Sequence, residues 1–130
     1  MRDLFWQQGY ASTSVSGLVA ATGLQPGSLY AAFGNKEGAM LAVLEHYGER
    51  SIAGARKLLL AEDIPPRRGL ETFFANLVGR TLADPESRGC LLVNTLIETR
   101  GSGSGYPGGE PIAERARGYL QEMEELFRLN

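Results

Sequence analysis

A single cysteine and a single histidine stand among 130 residues, and those two scarcities exclude much chemistry at once. One thiol, Cys90, cannot close an internal disulfide, which fits a reducing compartment. With only His46 beside it, the chain lacks the clustered thiols and imidazoles of a zinc site. No Ser/His/Asp set and no phosphate-cradling loop is spaced for catalysis, so the expectation is a non-enzyme that uses no metal and no cofactor. Long apolar runs are missing too. None approaches the roughly 20 residues that cross a bilayer, and Met1-Arg2-Asp3-Leu4 does not open a signal peptide. The chain is therefore expected in the cytoplasm, away from membranes.

Positive charge is also in short supply, with 13 Lys and Arg against 15 Asp and Glu, a net charge of −2 and a pI near 5.4. Up to residue 50 the cations are Arg2, Lys36 and Arg50, set against Asp3, Glu37, Glu45 and Glu49. Nucleic-acid binding usually leaves a basic footprint, and composition offers none. Strand-like alternation and internal repeats are absent as well, which leaves an all-α reading. A hydrophobic content of 43% is enough to build a core.

What is present is concentrated in Thr13 to Lys36. Val15, Leu18, Val19 and Thr22 recur at i, i+3, i+4 and i+7, the spacing of one buried helical stripe, and Thr13 or Ser14 can cap that helix. Gly23 stops it. Pro26 then suits the first position of a second helix, where its missing N–H would have no intrahelical partner, and that helix is expected to reach about Phe33. Leu29 and Phe33 lie one turn apart and can pack back, leaving Gln25, Gly27, Ser28, Tyr30 and Ala31 outward. Two short helices joined by a glycine turn form the helix-turn-helix unit, whose second helix enters the major groove of DNA. Asn35 can cap the next helix. Lys36 in its first turn opposes the macrodipole; a nearby phosphate would explain it, and the plainer alternative is a solvated lysine at a helix start.

Gly9-Tyr10, Thr13-Ser14-Val15, Thr22-Gly23, Gly27-Ser28-Leu29-Tyr30, Phe33 and Lys36-Glu37 together resemble the signature of the TetR family of bacterial transcriptional repressors, without a gap from about Leu4 to Tyr47. Arg88-Gly89-Cys90-Leu91-Leu92-Val93-Asn94-Thr95 looks like a stretch in the regulatory domain of one branch. The resemblance implies a three-helix DNA-binding domain over 1–47, linked by a helix from about 36 to a helical effector-binding and dimerisation domain over 48–130. It further implies a homodimer on double-stranded operator DNA, released by a small molecule. Thr13, Ser14, Gln25, Pro26, Gly27, Ser28, Tyr30, Ala31 and Lys36 are the expected DNA contacts, with Tyr30 and Lys36 on phosphates. Members of the family usually carry residues ahead of the first helix and further helices at the far end, so a piece shortened at both ends is expected.

Beyond Tyr47 the long helix is expected to run toward Leu60 and to break before Pro65-Pro66. Leu70, Phe73, Phe74 and Leu77 mark another helix. Gly89 to Glu98 reads as a short, nearly all-apolar helix buried on most sides. Gly101 to Gly109 is expected to be a flexible connector, and its Gly103-x-Gly105-x-x-Gly108 is a chance match to the dinucleotide fingerprint, since no strand precedes it. Ile112, Ala116, Tyr119, Leu120, Met123 and Phe127 share one face of the last helix. Phe73, Phe74, Leu77, Val93, Ile97, Tyr119, Met123 and Phe127 could enclose an apolar cavity, with Asn94, Thr95 and the Tyr119 hydroxyl as its polar contacts. The same stripes equally describe a packed core. Cys90 is most simply a buried thiol, though Arg88 and a helix start can favour a thiolate and so a redox or electrophile sensor. A third alternative is an interaction protein that keeps the fold without repressing.

Overall fold

The Asn35 side chain accepts the Gly38 N–H at 2.7 Å, and from that cap the longest helix of the chain runs over 24 residues, Lys36–Leu59. This computed structural model describes residues 1–101 and 109–130, which form seven helices and, among the described residues, no strand. They are α1 (Arg2–Gln8), α2 (Val15–Thr22), α3 (Pro26–Phe33), α4 (Lys36–Leu59), α5 (Pro66–Ala83), α6 (Leu91–Gly101) and α7 (Gly109–Leu129). The expected connector and its glycine fingerprint lie outside the described residues, apart from the two helix ends Gly101 and Gly109.

Met40, Val43, Leu44, Ile52, Ala55 and Leu59 put a buried stripe along the whole of α4, so other helices can collect on both of its halves. On the first half, Phe5, Tyr10, Leu18 and Leu29 pack with Met40, Val43 and Leu44, and the same cluster takes in Leu91, Leu92, Ile112 and Ala116 from α6 and α7. On the second half, Ile52, Ala55 and Leu59 meet Leu126, with Leu70, Phe73, Met123 and Phe127 against them. The division expected at residue 47 is therefore crossed by one continuous core. Gly48 permits this closeness, since a Cβ there would run into the Tyr119 ring of α7. Gly69 does the same for α5, whose backbone lies on the Leu58 carbonyl.

Two apolar faces are left partly open, one of them on the segment expected to be buried on most sides. In α5 only Gly69 is buried, and Phe74, Leu77, Val78 and Leu82 are exposed. Its one extensive neighbour is α4, so a helix with a broad apolar face has only part of that face covered. In α6, Leu91, Leu92 and Thr95 are buried, whereas Val93 and Ile97 are exposed, Ile97 at 65%. That helix packs on α7 and α4, and nothing described covers its far side.

Candidate functional site

Ser14 opens α2, its hydroxyl accepting the Gly17 N–H at 2.9 Å. Thr13 is turned the other way: it is 1% exposed and donates to the Gly9 carbonyl at 2.6 Å. Its side chain ties the α1–α2 turn and cannot reach DNA, because the cap position had already gone to its neighbour. Gly23 ends α2 at φ 70°, a left-handed conformation that costs glycine little. Pro26 then starts α3 as expected, with Leu29 buried. Gln25, Pro26, Gly27, Ser28, Tyr30 and Ala31 are all exposed. Gly27 is the informative member, since a Cβ placed there would meet nothing within 4 Å. A helical glycine costs about 1 kcal/mol relative to alanine, and nothing inside this chain asks for it.

Lys36 is placed differently from expectation. Its ammonium donates to the Tyr10 carbonyl at 3.0 Å and lies 4.2 Å from the centroid of the Tyr10 ring. The cation that seemed misplaced at a helix start is thus held by a carbonyl and an aromatic face. Tyr10 in turn stacks on Phe5 and is 5% exposed.

The same turn is gripped from the far end of the sequence. A carboxylate oxygen of Glu98 on α6 accepts the Tyr10 N–H at 3.0 Å, and its other oxygen accepts the Ala11 N–H at 2.9 Å. Gly9, at φ 77°, lies so close to that carboxylate that a Cβ would stand 2.8 Å from it. No helical periodicity marks Glu98, and sequence reasoning missed it.

A cavity of about 680 Å³ opens between α4, α5, α7 and the segment leading into α6. Of the ten residues expected around an effector, Phe73, Leu77 and Met123 line it. Phe74 and Phe127 instead close on Phe73, with ring centroids 5.0 to 6.0 Å apart. Val93 and Ile97 face away, on the uncovered side of α6. The Asn94 amide donates to the Arg88 carbonyl at 2.6 Å, which fixes it at the helix start. Tyr119 fills the notch left by Gly48 and borders two shallower grooves instead. Thr95 is buried and donates to the Leu91 carbonyl of its own helix.

Trp6, Tyr47, Arg50, Arg80, Arg88 and Cys90 complete much of the wall. The Arg88 guanidinium lies 4.3 Å over the Trp6 ring and bonds Asp84 at 3.3 Å and Asp3 at 3.1 Å. The Arg88 backbone N–H, followed by its guanidinium, holds the Asp84 carboxyl below the usual carboxylate range. Tyr47 meets Trp6 edge-on at 5.2 Å. Burial first, and then the Cys90 thiol beside it, push the Tyr47 hydroxyl up to about 12, so it stays a neutral donor. His46 is exposed on α4 and has no part in the cavity. No group of three His, Cys, Asp or Glu among the described residues could hold a metal, and none of their helices is long and apolar enough to cross a membrane.

Residues 2–43 match the model of the bacterial regulatory proteins, tetR family. The chain is similar to the HTH-type transcriptional repressor ComR of Escherichia coli (strain K12), 38% identical over 91 residues that make up 70% of this chain and 43% of the relative. It is also similar to the HTH-type transcriptional repressor DhaR of Mycobacterium sp. (strain GP1), 30% identical over 96 residues, or 74% of this chain and 46% of that one. The matched stretch thus spans less than half of either relative. No solved structure matches at a significant level. With the α2–α3 unit, its outward face and this similarity in place, residues 2–43 are a domain of the TetR family of bacterial regulatory proteins.

Proposed function

We propose that the protein is a cytoplasmic, non-enzymatic repressor that reads operator DNA with α3 and is released when a small molecule enters the cavity between α4, α5 and α7. Gly27 carries the reading: a glycine with open space around it, on an exposed face of small and polar residues, suits close approach of an outside surface. Ser14, Gln25, Pro26, Ser28, Tyr30 and Ala31 surround it on that face. In a homodimer two such helices would enter successive major grooves about 34–36 Å apart. A palindromic sequence selected by the protein from random DNA, with binding followed by fluorescence anisotropy, tests this. Gly27→Gln should melt like the wild type and bind that sequence at least about tenfold more weakly, since one mismatched contact costs roughly 1–3 kcal/mol. Equal affinity of the two proteins would remove α3 from the interface, and failure to select any sequence would favour an interaction protein that keeps only the fold.

A ligand present at a hundred times its dissociation constant should stabilise the protein by roughly 2.7 kcal/mol, and operator release should follow over the same concentrations. One observation favours a second reading of the trigger. Cys90 stands in the cavity wall beside Tyr47, where an electrophile entering the cavity would meet a thiol. Cys90→Ser should then bind operator normally and ignore electrophiles that release the wild type. Identical responses would leave the thiol a packing group.

A further inference from the structure

We infer that the cavity takes an organic anion, an apolar body bearing a carboxylate, with the charge held between Arg50 on α4 and Arg80 on α5. The inference rests on the effector reading above and names the class of effector. Among the side chains lining the cavity three are cationic, Arg50, Arg80 and Arg88, and one is anionic, Asp84. Asp84 is already matched by Arg88, which also reaches Asp3. Arg50 and Arg80 have no carboxylate partner among the described residues. Gly69 lies on the Leu58 carbonyl and the charge of Arg80 acts on Tyr47, so α4 and α5 run antiparallel and bring the two free guanidinium groups to the same end of the cavity.

The rest of the wall fits the same chemistry. Its polar groups include the neutral Tyr47 hydroxyl, set beside the Cys90 thiol, and the Asn76 amide. Leu58, Phe73, Leu77, Leu120 and Met123 supply an apolar body beyond them. A wall with three cations and one anion, the anion already paired, is complementary to a negatively charged ligand, and guanidinium groups pair with carboxylates through charge-assisted, often bidentate bonds. The volume of about 680 Å³ falls within the range of small-molecule pockets, roughly 300–1,000 Å³.

Matched probes test this on the full chain: decanoate against decan-1-ol, and 2-naphthoate against 2-naphthylmethanol, by melting shift and titration calorimetry. The acids should bind at least about tenfold more tightly than their neutral partners, and Arg50→Gln and Arg80→Gln should each cost decanoate about 10- to 100-fold, as loss of a charge-assisted bond does. Arg67→Gln, whose side chain is 92% exposed outside the cavity, should bind like the wild type and controls for general charge attraction. Leu77→Trp, which fills the cavity, should abolish binding of every probe. Neutral partners that bind as tightly as the acids, and lose binding in Leu77→Trp, would overturn the anion and leave the effector cavity standing. Equal losses in Arg67→Gln and Arg80→Gln would overturn it too. If none of the four probes bound, the anion and the effector reading would fall together.

Discussion

Replacing Glu98 with alanine should loosen the α1–α2 turn and, with it, the platform that carries α3. The Glu98 carboxylate accepts two consecutive backbone N–H groups, at 3.0 and 2.9 Å, from Tyr10 and Ala11. Hydrogen bonds to a charged group contribute about 1.5–3 kcal/mol each when well shielded, but Ala11 is exposed and only Tyr10 is buried. One strong and one weak bond suggest a loss of roughly 2 kcal/mol, or about 8 °C in melting temperature for a domain of this size. Glu98→Gln keeps the shape, yet its amide presents an oxygen to one N–H and its own N–H2 to the other, so it should recover only about half of that loss. Thermal melts of the three proteins give the magnitude, and amide hydrogen exchange gives the location. Exchange at Tyr10 and Ala11 should accelerate more than in the core of α4. If Glu98→Ala melted within a degree of the wild type and left both amides protected, the carboxylate would be a passive neighbour of the turn. On the repressor reading, the variant should also blunt the response of DNA binding to ligand, because α6 begins at the cavity edge with Cys90 and Leu92.

Lys36→Ala removes a bond to the Tyr10 carbonyl and a cation over its ring, together worth about 1–2 kcal/mol. Melting should fall by several degrees while the salt dependence of operator binding stays unchanged; a slope reduced by about one with an unaltered melt would instead put the ammonium on a phosphate. Tyr47 titrates near 12 when folded and near 10 when unfolded. A group whose folded value is raised loses its contribution as pH climbs between those values, so stability should drop from pH 10 toward pH 12. Tyr47→Phe should flatten that part of the pH–melting curve, and parallel curves for the two proteins would refute the assignment.

The helix-turn-helix was legible because its determinants are local. Pro26 and Gly23 set the boundaries of α3 and α2, and Leu18 and Leu29 enter one core from fixed helical positions. The choice between Thr13 and Ser14 as cap was not legible, since either hydroxyl can serve and the outcome turned on which one the Gly9 carbonyl claimed. The cavity proposed for an effector was read less well for a physical reason. Apolar spacing on α5 and α6 says that a face exists but not what covers it. Phe73 and Phe74 look alike in sequence, yet Phe74 is 52% exposed and Phe73 is packed among α4 and α7 side chains. A cavity sought only beyond residue 47 also misses Trp6 and Tyr47, which a continuous core brings to its wall. Glu98 and Tyr10 lie 88 residues apart, and no pattern of spacing predicts such a bond.

That wall bears on how a ligand could act. Trp6 belongs both to the cavity and to α1, the first helix of the unit proposed to bind DNA, and it contacts both Tyr47 and Arg88. A ligand in the cavity would therefore touch the reading unit directly, with no long relay to invoke. Contact alone is not enough, however. A ligand shifts an equilibrium only by the difference in its affinity for the two states, and reversing a population from 1:99 to 99:1 requires a difference of about ten-thousand-fold. A molecule that fills the space among Phe73, Leu77 and Met123 equally well in both states would raise the melting temperature and leave DNA binding intact. Release demands that the ligand discriminate, and the groups placed to discriminate are those whose partners lie on more than one helix: Arg88, bonded to Asp3 of α1 and to Asp84 just beyond α5, and the Trp6 ring beneath it. Stabilisation and release should accordingly be separable properties of different ligands for the same cavity.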